Sequence, residues 1–187
     1  LGNAWPKNVT FDFGTGCTLN DVTRKGKIIA VFTDRFKNAG AKITVTFDNF
    51  YVNDTKIEGT KTITNNGKNT AGNYTFTLDV SKSRISSTRG TFTCNATKVI
   101  EWTKGESTEH VSDDVFSITG SSSGTNSKGV DFTLTITKPV IKKVECRFLV
   151  AGTLEIKPGN RLVRILDYGN GVCDAKDLEV VGNIFEN

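Results

Sequence analysis

Lys42-Ile43-Thr44-Val45-Thr46-Phe47-Asp48 decides the fold. Ile43, Val45 and Phe47 fall on one side of an extended chain, and Lys42, Thr44, Thr46 and Asp48 on the other, a two-residue period that only a β-strand can use. The same alternation recurs outward from this stretch. Tyr74, Phe76, Leu78 and Val80 alternate with Thr75, Thr77 and Asp79, and Phe132, Leu134 and Ile136 with Thr133, Thr135 and Thr137. Residues 25–36 are more continuously apolar through Ile28-Ile29-Ala30-Val31-Phe32, the pattern of a central strand covered on both faces. Further strands are expected at 8–13, 55–64, 90–102, 115–119, 142–156, 161–167 and 178–184. No segment sustains a 3.6-residue period, and one short helical turn is expected near 107–113.

Turn chemistry separates these runs. Asn38-Ala39-Gly40, Asn53-Asp54, Asn65-Asn66-Gly67 and Lys157-Pro158-Gly159-Asn160 supply residues that tolerate positive φ or preset it. The gaps are short, so consecutive strands should be hairpin-connected. Residues 65–73 and 120–129, rich in Gly, Ser and Asn, are expected to be flexible hairpin loops. The reading is a single all-β domain over 1–187, with 1–6 as a tether: an antiparallel meander of ten or more strands. Its apolar face needs cover, so the sheet is expected to fold over as a sandwich, a roll or a flattened barrel.

Composition supports this and limits function. The chain has 187 residues, no Met, and 24 basic against 20 acidic side chains, for a net charge of +4. The charges are interspersed, and no basic run marks a nucleic-acid surface. No apolar stretch approaches the roughly 20 residues that cross a bilayer as a helix. The first residues carry no basic and apolar leader, as in a mature chain whose targeting segment has been removed.

The four cysteines, Cys17, Cys94, Cys146 and Cys173, are widely spaced and form no C-x-x-C. That argues against a zinc knuckle or a thioredoxin-like site. Buried free thiols and one or two disulfides both remain open.

The two ends of the chain echo each other. Phe11-Asp12-Phe13-Gly14-Thr15-Gly16-Cys17 resembles Leu166-Asp167-Tyr168-Gly169-Asn170-Gly171-Val172-Cys173. Either both ends use one tight turn capped by Asp, or Asp12, Asp21, Asp167, Asp174 and Asp177 supply oxygens to a Ca²⁺ site whose spacing is not that of an EF-hand. Other chemistry has little to stand on. His110 is the single histidine and lies in a polar stretch. No G-x-S-x-G, phosphate loop or dinucleotide motif is present. Glu58, Glu101, Asp113, Asp114, Glu145 and Glu155 leave a paired-carboxylate glycosidase open. Trp5, Phe50, Tyr51, Trp102 and Tyr168 could form a binding surface or pack into the core. No catalytic residue and no cofactor is assigned.

Taken in order, several motifs carry a resemblance: Asp12-Phe13-Gly14-Thr15-Gly16-Cys17, Phe47-Asp48-Asn49-Phe50-Tyr51-Val52-Asn53, Ser117-Ile118-Thr119-Gly120, Gly152-Thr153-Leu154-Glu155-Ile156 and Asp167-Tyr168-Gly169-Asn170-Gly171-Val172-Cys173-Asp174. Over nearly its whole length the chain resembles uncharacterised lipoproteins of the Bacteroidetes cell envelope. That resemblance implies export to the periplasm or cell surface, with membrane attachment only through a lipidated cysteine upstream of this chain. It implies no activity. The function expected is a non-enzymatic envelope module that binds a protein or glycan partner and no nucleic acid. The alternatives are a carrier of an apolar ligand in an inter-sheet or barrel cavity, and a glycan-active enzyme.

Overall fold

A computed structural model describes residues 4–173 and 179–181. Twelve strands form one antiparallel sheet. In chain order they are β1 (Lys7–Asp12), β2 (Cys17–Leu19), β3 (Val22–Phe32), β4 (Lys42–Val52), β5 (Thr55–Lys68) and β6 (Tyr74–Ser87), followed by β7 (Gly90–Lys104), β8 (Val115–Thr125), β9 (Asp131–Lys143), β10 (Ala151–Pro158), β11 (Arg164–Asn170) and β12 (Glu179–Val181). Each strand from β3 to β12 pairs with the next in sequence, β1 adds to the free edge of β3, and β2 also pairs β3. Among the described residues a single 3₁₀ turn, Val111–Asp113, interrupts the meander. Among the described residues no helix is long and apolar enough to cross a membrane.

The expected all-β antiparallel meander is what the chain forms. It is not closed into a barrel, because β1 and β12 stand at opposite ends of the strand order and do not pair. Along the central strands its apolar face is half-buried, with Ala30, Phe76 and Leu154 buried. The chain exposes 12185 Å², whereas a compact monomer of 20.4 kDa exposes about 8,800 Å². Few apolar side chains are fully buried: Ala30, Ala41, Phe50, Phe76, Cys146, Val140, Val150 and Leu154.

Register gives the sheet two chemically different faces. One cross-strand row reads Val45, Lys61, Val80, Ala96, Ser122, Leu134 and Ile156 from β4 to β10. One residue along, on the opposite face, the row reads Thr44, Thr62, Asp79, Thr97, Ser121, Thr135 and Glu155. Thr-for-apolar alternation in the sequence is thus an apolar face backed by a hydroxyl face.

Two local devices supply cover at the ends of the sheet. Residues 33–41, between β3 and β4, fold over the apolar face as a roof. Phe36 stacks on Phe76 with ring centroids 4.7 Å apart, and Lys37 lies over the Trp102 ring and pairs with Glu106. Asn65, 1% exposed, holds the roof by donating its amide N–H to the Phe36 carbonyl at 2.7 Å. The second device is the turn between β9 and β10. Cys146 forms a disulfide with Cys173 after β11, and the Gly171 N–H donates to the carbonyl of Val150, which is buried.

Three sequence expectations are corrected here. Residues 120–125 belong to β8 and are not a loop; the turn is confined to 126–130. Likewise β5 runs on to Lys68, leaving 69–73 as the turn. In both, small polar residues sit in a central strand whose neighbours supply the hydrogen bonds, so cross-strand pairing overrides weak local propensity. Residues 142–156 also divide, into the end of β9, the disulfide-tied turn and β10.

Candidate functional site: a hydroxyl-lined hollow on the open sheet

The hollow lies on the hydroxyl face, where β7, β8 and β9 run side by side. β8 contributes Gly120-Ser121-Ser122-Ser123-Gly124, with no side chain larger than a hydroxymethyl group. A strand this lean, between strands bearing Thr and Asn, leaves a trough along its length. Ser121 and Ser123 form the floor, Asn95 and Thr97 one bank, and Thr133 and Thr135 the other. The space is about 400 Å³ and open to solvent. A second hollow of about 490 Å³ shares Ser123 and Thr133 with it and runs on to Asp131, Lys157 and Gly159.

The glycines of β8 are required by the close approach of β7. At Gly120, φ is +117°, and an added Cβ would lie 2.3 Å from the Thr97 carbonyl oxygen. At Gly124 it would lie 1.9 Å from the Thr93 carbonyl oxygen.

Hydrogen bonding leaves the trough free to bind. Thr97 Oγ1 donates to Asp79 on the same face, and Asn95 Oδ1 accepts from the backbone N–H of Lys82, which holds that bulge residue at φ 53°. Among the described residues, the hydroxyls of Ser121, Ser123, Thr133 and Thr135 take no protein partner. Each hydroxyl can donate one hydrogen bond and accept two. With strands about 4.8 Å apart and alternate residues about 6.8 Å apart, they form a small grid of neutral donors and acceptors.

Among the described candidate calcium ligands, Asp12 and Asp167 do not converge. Asp12, at the end of β1, accepts from the Gly14 N–H at 2.9 Å and pairs with Lys27 at 3.0 Å. That backbone N–H, then Lys27, hold its carboxyl below the usual range. Asp167 in β11 accepts from the Gly169 N–H at 2.9 Å. The end-to-end echo in the sequence is therefore one repeated Asp-x-Gly turn, with Gly14 and Gly169 both at positive φ. β1 and β11 are separated in the sheet by β3 to β10, roughly 40 Å at ordinary strand spacing. Asp21 sits in the turn before β3 at φ 61°, and Asp174 and Asp177 lie outside the described residues.

The aromatic candidates are dispersed. Phe50 is buried against Phe13 and Phe47. Trp102 donates its indole N–H to Asp114 at 3.0 Å and meets Phe116. Trp5 and Tyr51 each lie beneath a lysine, Lys7 and Lys25, and burial pushes the Tyr168 hydroxyl up. Cys17 and Cys94 are free thiols. Glu145 lies beside Cys146 and Cys173, within 4.8 Å, but those sulfurs are bonded to each other and offer a metal no thiolate.

Of the acidic residues considered for glycoside chemistry, Glu58 is paired with Lys56, Glu101 accepts from Asn69 and Asn73, Asp113 accepts from Thr108 and Asp114 from Trp102. His110 is exposed beside the 3₁₀ turn. Sequence reading missed Asn95, Thr97, Ser121, Ser123, Thr133 and Thr135 as a site. The signal was present: the apolar-polar alternation of Phe116-Ser117-Ile118 leads straight into Gly120–Gly124, with small residues on both faces.

No protein family, no curated protein and no solved structure matches this chain.

Proposed function

We propose that this chain is a non-enzymatic, extracytoplasmic binding module that holds a neutral glycan segment in the hydroxyl-lined trough. The observation that carries the reading is the set of unpartnered hydroxyls on Ser121, Ser123, Thr133 and Thr135, facing one open hollow of about 400 Å³. Sugar hydroxyls donate and accept equally, so an uncharged grid of the same groups complements them. An apolar ligand would leave those groups without water or partner, at a cost of about 1–3 kcal/mol each. This weighs against the apolar-carrier alternative, and both hollows are open to solvent. The engaged state of Glu58, Glu101, Asp113 and Asp114 weighs against glycoside cleavage.

Export is supported by the Cys146–Cys173 disulfide, a bond kept in oxidising compartments, and by the resemblance to envelope lipoproteins. Attachment to a membrane would be through an upstream lipidated cysteine.

The test is NMR titration of the labelled chain with neutral oligosaccharides of four to six units. Millimolar to high-micromolar affinity is expected for a wet, open site, with shift changes on β7, β8 and β9. Ser121→Phe fills the trough from its floor and should weaken binding at least tenfold. Shifts confined to other strands, or a protein partner whose binding ignores Ser121→Phe, would overturn the assignment.

A further inference from the structure

One side of β1 pairs with β3, and among the described residues nothing pairs its other side. Asn8 to Asp12 are all exposed, Phe11 at 55% and Val9 at 39%. A bare edge strand is a template for another strand. The phase of the ladder fixes which residues that strand would meet. At the end of β3 the Thr33 N–H donates to the Lys42 carbonyl, toward β4. By two-residue alternation Val31, Ile29 and Lys27 also turn their peptide groups to β4, and Phe32, Ala30 and Ile28 turn theirs to β1. Their partners Lys7, Val9 and Phe11 therefore bond inward, in phase with the Phe13 N–H, which donates to the Gly26 carbonyl at 2.9 Å. The N–H and C=O groups of Asn8, Thr10 and Asp12 point away from the sheet.

We propose that β1 is the interface of an edge-to-edge homodimer, in which the β1 strands of two copies pair antiparallel about a two-fold axis at Thr10. The strand is complementary to itself in this register. Asn8 lies opposite Asp12, Thr10 opposite Thr10, and Asp12 opposite Asn8. All the outward-turned residues then meet in three pairs, each exchanging two bonds, about six in all. An axis at Val9 would set Asp12 against Pro6, which has no N–H. An axis at Phe11 would set Asn8 against Gly14, past the end of the strand at Asp12.

The side chains agree with the backbone. On the hydroxyl face, the Asn8 amide of each copy can donate to the Asp12 carboxylate of the other, beside the Lys27 that already pairs with it at 3.0 Å. On the apolar face, Val9 lies opposite Phe11 twice, a β-branched residue against an aromatic. Like charges stay apart: the two copies of Lys7 lie roughly 20 Å from each other and the two of Asp12 roughly 14 Å. A two-fold pairing of this kind closes at two copies, whereas addition of β1 to β12 of the next chain would repeat without closure as a filament. The proposal does not rest on the glycan reading, since the trough on β7 to β9 is separated from β1 by β3 to β6.

Sedimentation velocity of the intact chain from 1 to 500 µM is the test. A reversible species of twice the 20.4 kDa chain mass is expected, with a dissociation constant of about 10–200 µM for an interface at the small end of the size range. Thr10→Pro removes an outward N–H that β3 does not use, so the far-UV circular dichroism should be unchanged and the dissociation constant should rise at least thirtyfold. Asn8→Lys, facing Asp12 of the other copy, should lower it at least threefold, and Asn8→Asp should raise it at least fivefold at low salt. With Cys17→Ser and Cys94→Ser in place, Thr10→Cys should oxidise to a covalent dimer, because facing hydrogen-bonded residues have Cα atoms about 5.5 Å apart; Lys7→Cys should not. A monomer at 500 µM, a dimer indifferent to Thr10→Pro, weakening by Asn8→Lys, covalent dimers from Lys7→Cys but not Thr10→Cys, or species that grow past the dimer into filaments would each overturn the proposal.

Discussion

Asn65→Asp isolates the attachment of the roof to the sheet. Asn65 is 1% exposed. Its Nδ2 donates to the Phe36 carbonyl at 2.7 Å, and its Oδ1 accepts from the Gly67 N–H at 2.7 Å. The substitution changes almost no volume. It keeps the acceptor for Gly67 and replaces the donor to Phe36 with an oxygen facing an oxygen. An unsatisfied buried carbonyl costs about 1–3 kcal/mol, and confining a carboxylate there adds to this. The sum expected at pH 7 is about 3 kcal/mol, or roughly 6–12 °C in the melting temperature of a chain this size. Urea denaturation followed by far-UV circular dichroism measures it. Asn66→Asp, exposed one residue along and bonded to Thr77, is the control and should cost less than about 1 kcal/mol. Acid should narrow the gap, because a protonated carboxyl regains a donor for the Phe36 carbonyl. A loss below about 0.5 kcal/mol at pH 7, or one equal to the Asn66→Asp control, would refute the view that this side-chain amide helps to hold the roof down.

Three further outcomes follow from the same geometry. Gly124→Val puts a Cβ 1.9 Å from the Thr93 carbonyl oxygen and should cost at least about 2 kcal/mol by denaturant unfolding. Alkylation of the oxidised, unfolded chain should label Cys17 and Cys94 and spare Cys146 and Cys173, by mass spectrometry; reducing the bond, which closes a loop of 27 residues, should cost about 3.5 kcal/mol. Asn73, then Asn69, hold the Glu101 carboxyl below its ordinary value, so its contribution is present above the unfolded-state pKa and lost as pH falls through the folded one; Glu101→Gln should therefore lose stability at pH 7 and show a shallower decline toward pH 3 in the same denaturation assay.

The fold class was legible because β-period alternation survives in nearly every strand. Ile43-Thr44-Val45-Thr46-Phe47 and Phe132-Thr133-Leu134-Thr135-Ile136 can satisfy neither a helix nor a loop. Hidden from the sequence was everything set by a neighbour at long range. β8 through Gly120–Thr125 has low strand propensity and persists because β7 and β9 pair with it on both sides. The trough was invisible for the same reason, since its six side chains come from three strands and none has distinctive chemistry alone. The Asp12 and Asp167 echo was real in sequence, yet it encodes a repeated turn and not a shared site. Closure of the sheet was also beyond reach, because the two-residue period records which residues face together and carries no information on what covers them.

The composition of the two faces bears on why the sheet stays open. A sandwich made by one chain needs the strands of its second half to turn their apolar residues toward those of the first. Here the rows continue with unchanged sense from Val45 to Ile156, and the long hairpins place each strand directly beside the last, with no crossover to carry one half over the other. Intrachain cover is therefore limited to what loops can reach, which is the roof at 33–41 and the disulfide-tied turn. The hydroxyl face, with its side chains content in water, needs no cover. A substitution in the Ser121–Ser123 floor should accordingly alter recognition and leave stability nearly unchanged, whereas a charge at half-buried Val80 should lower stability and spare the trough.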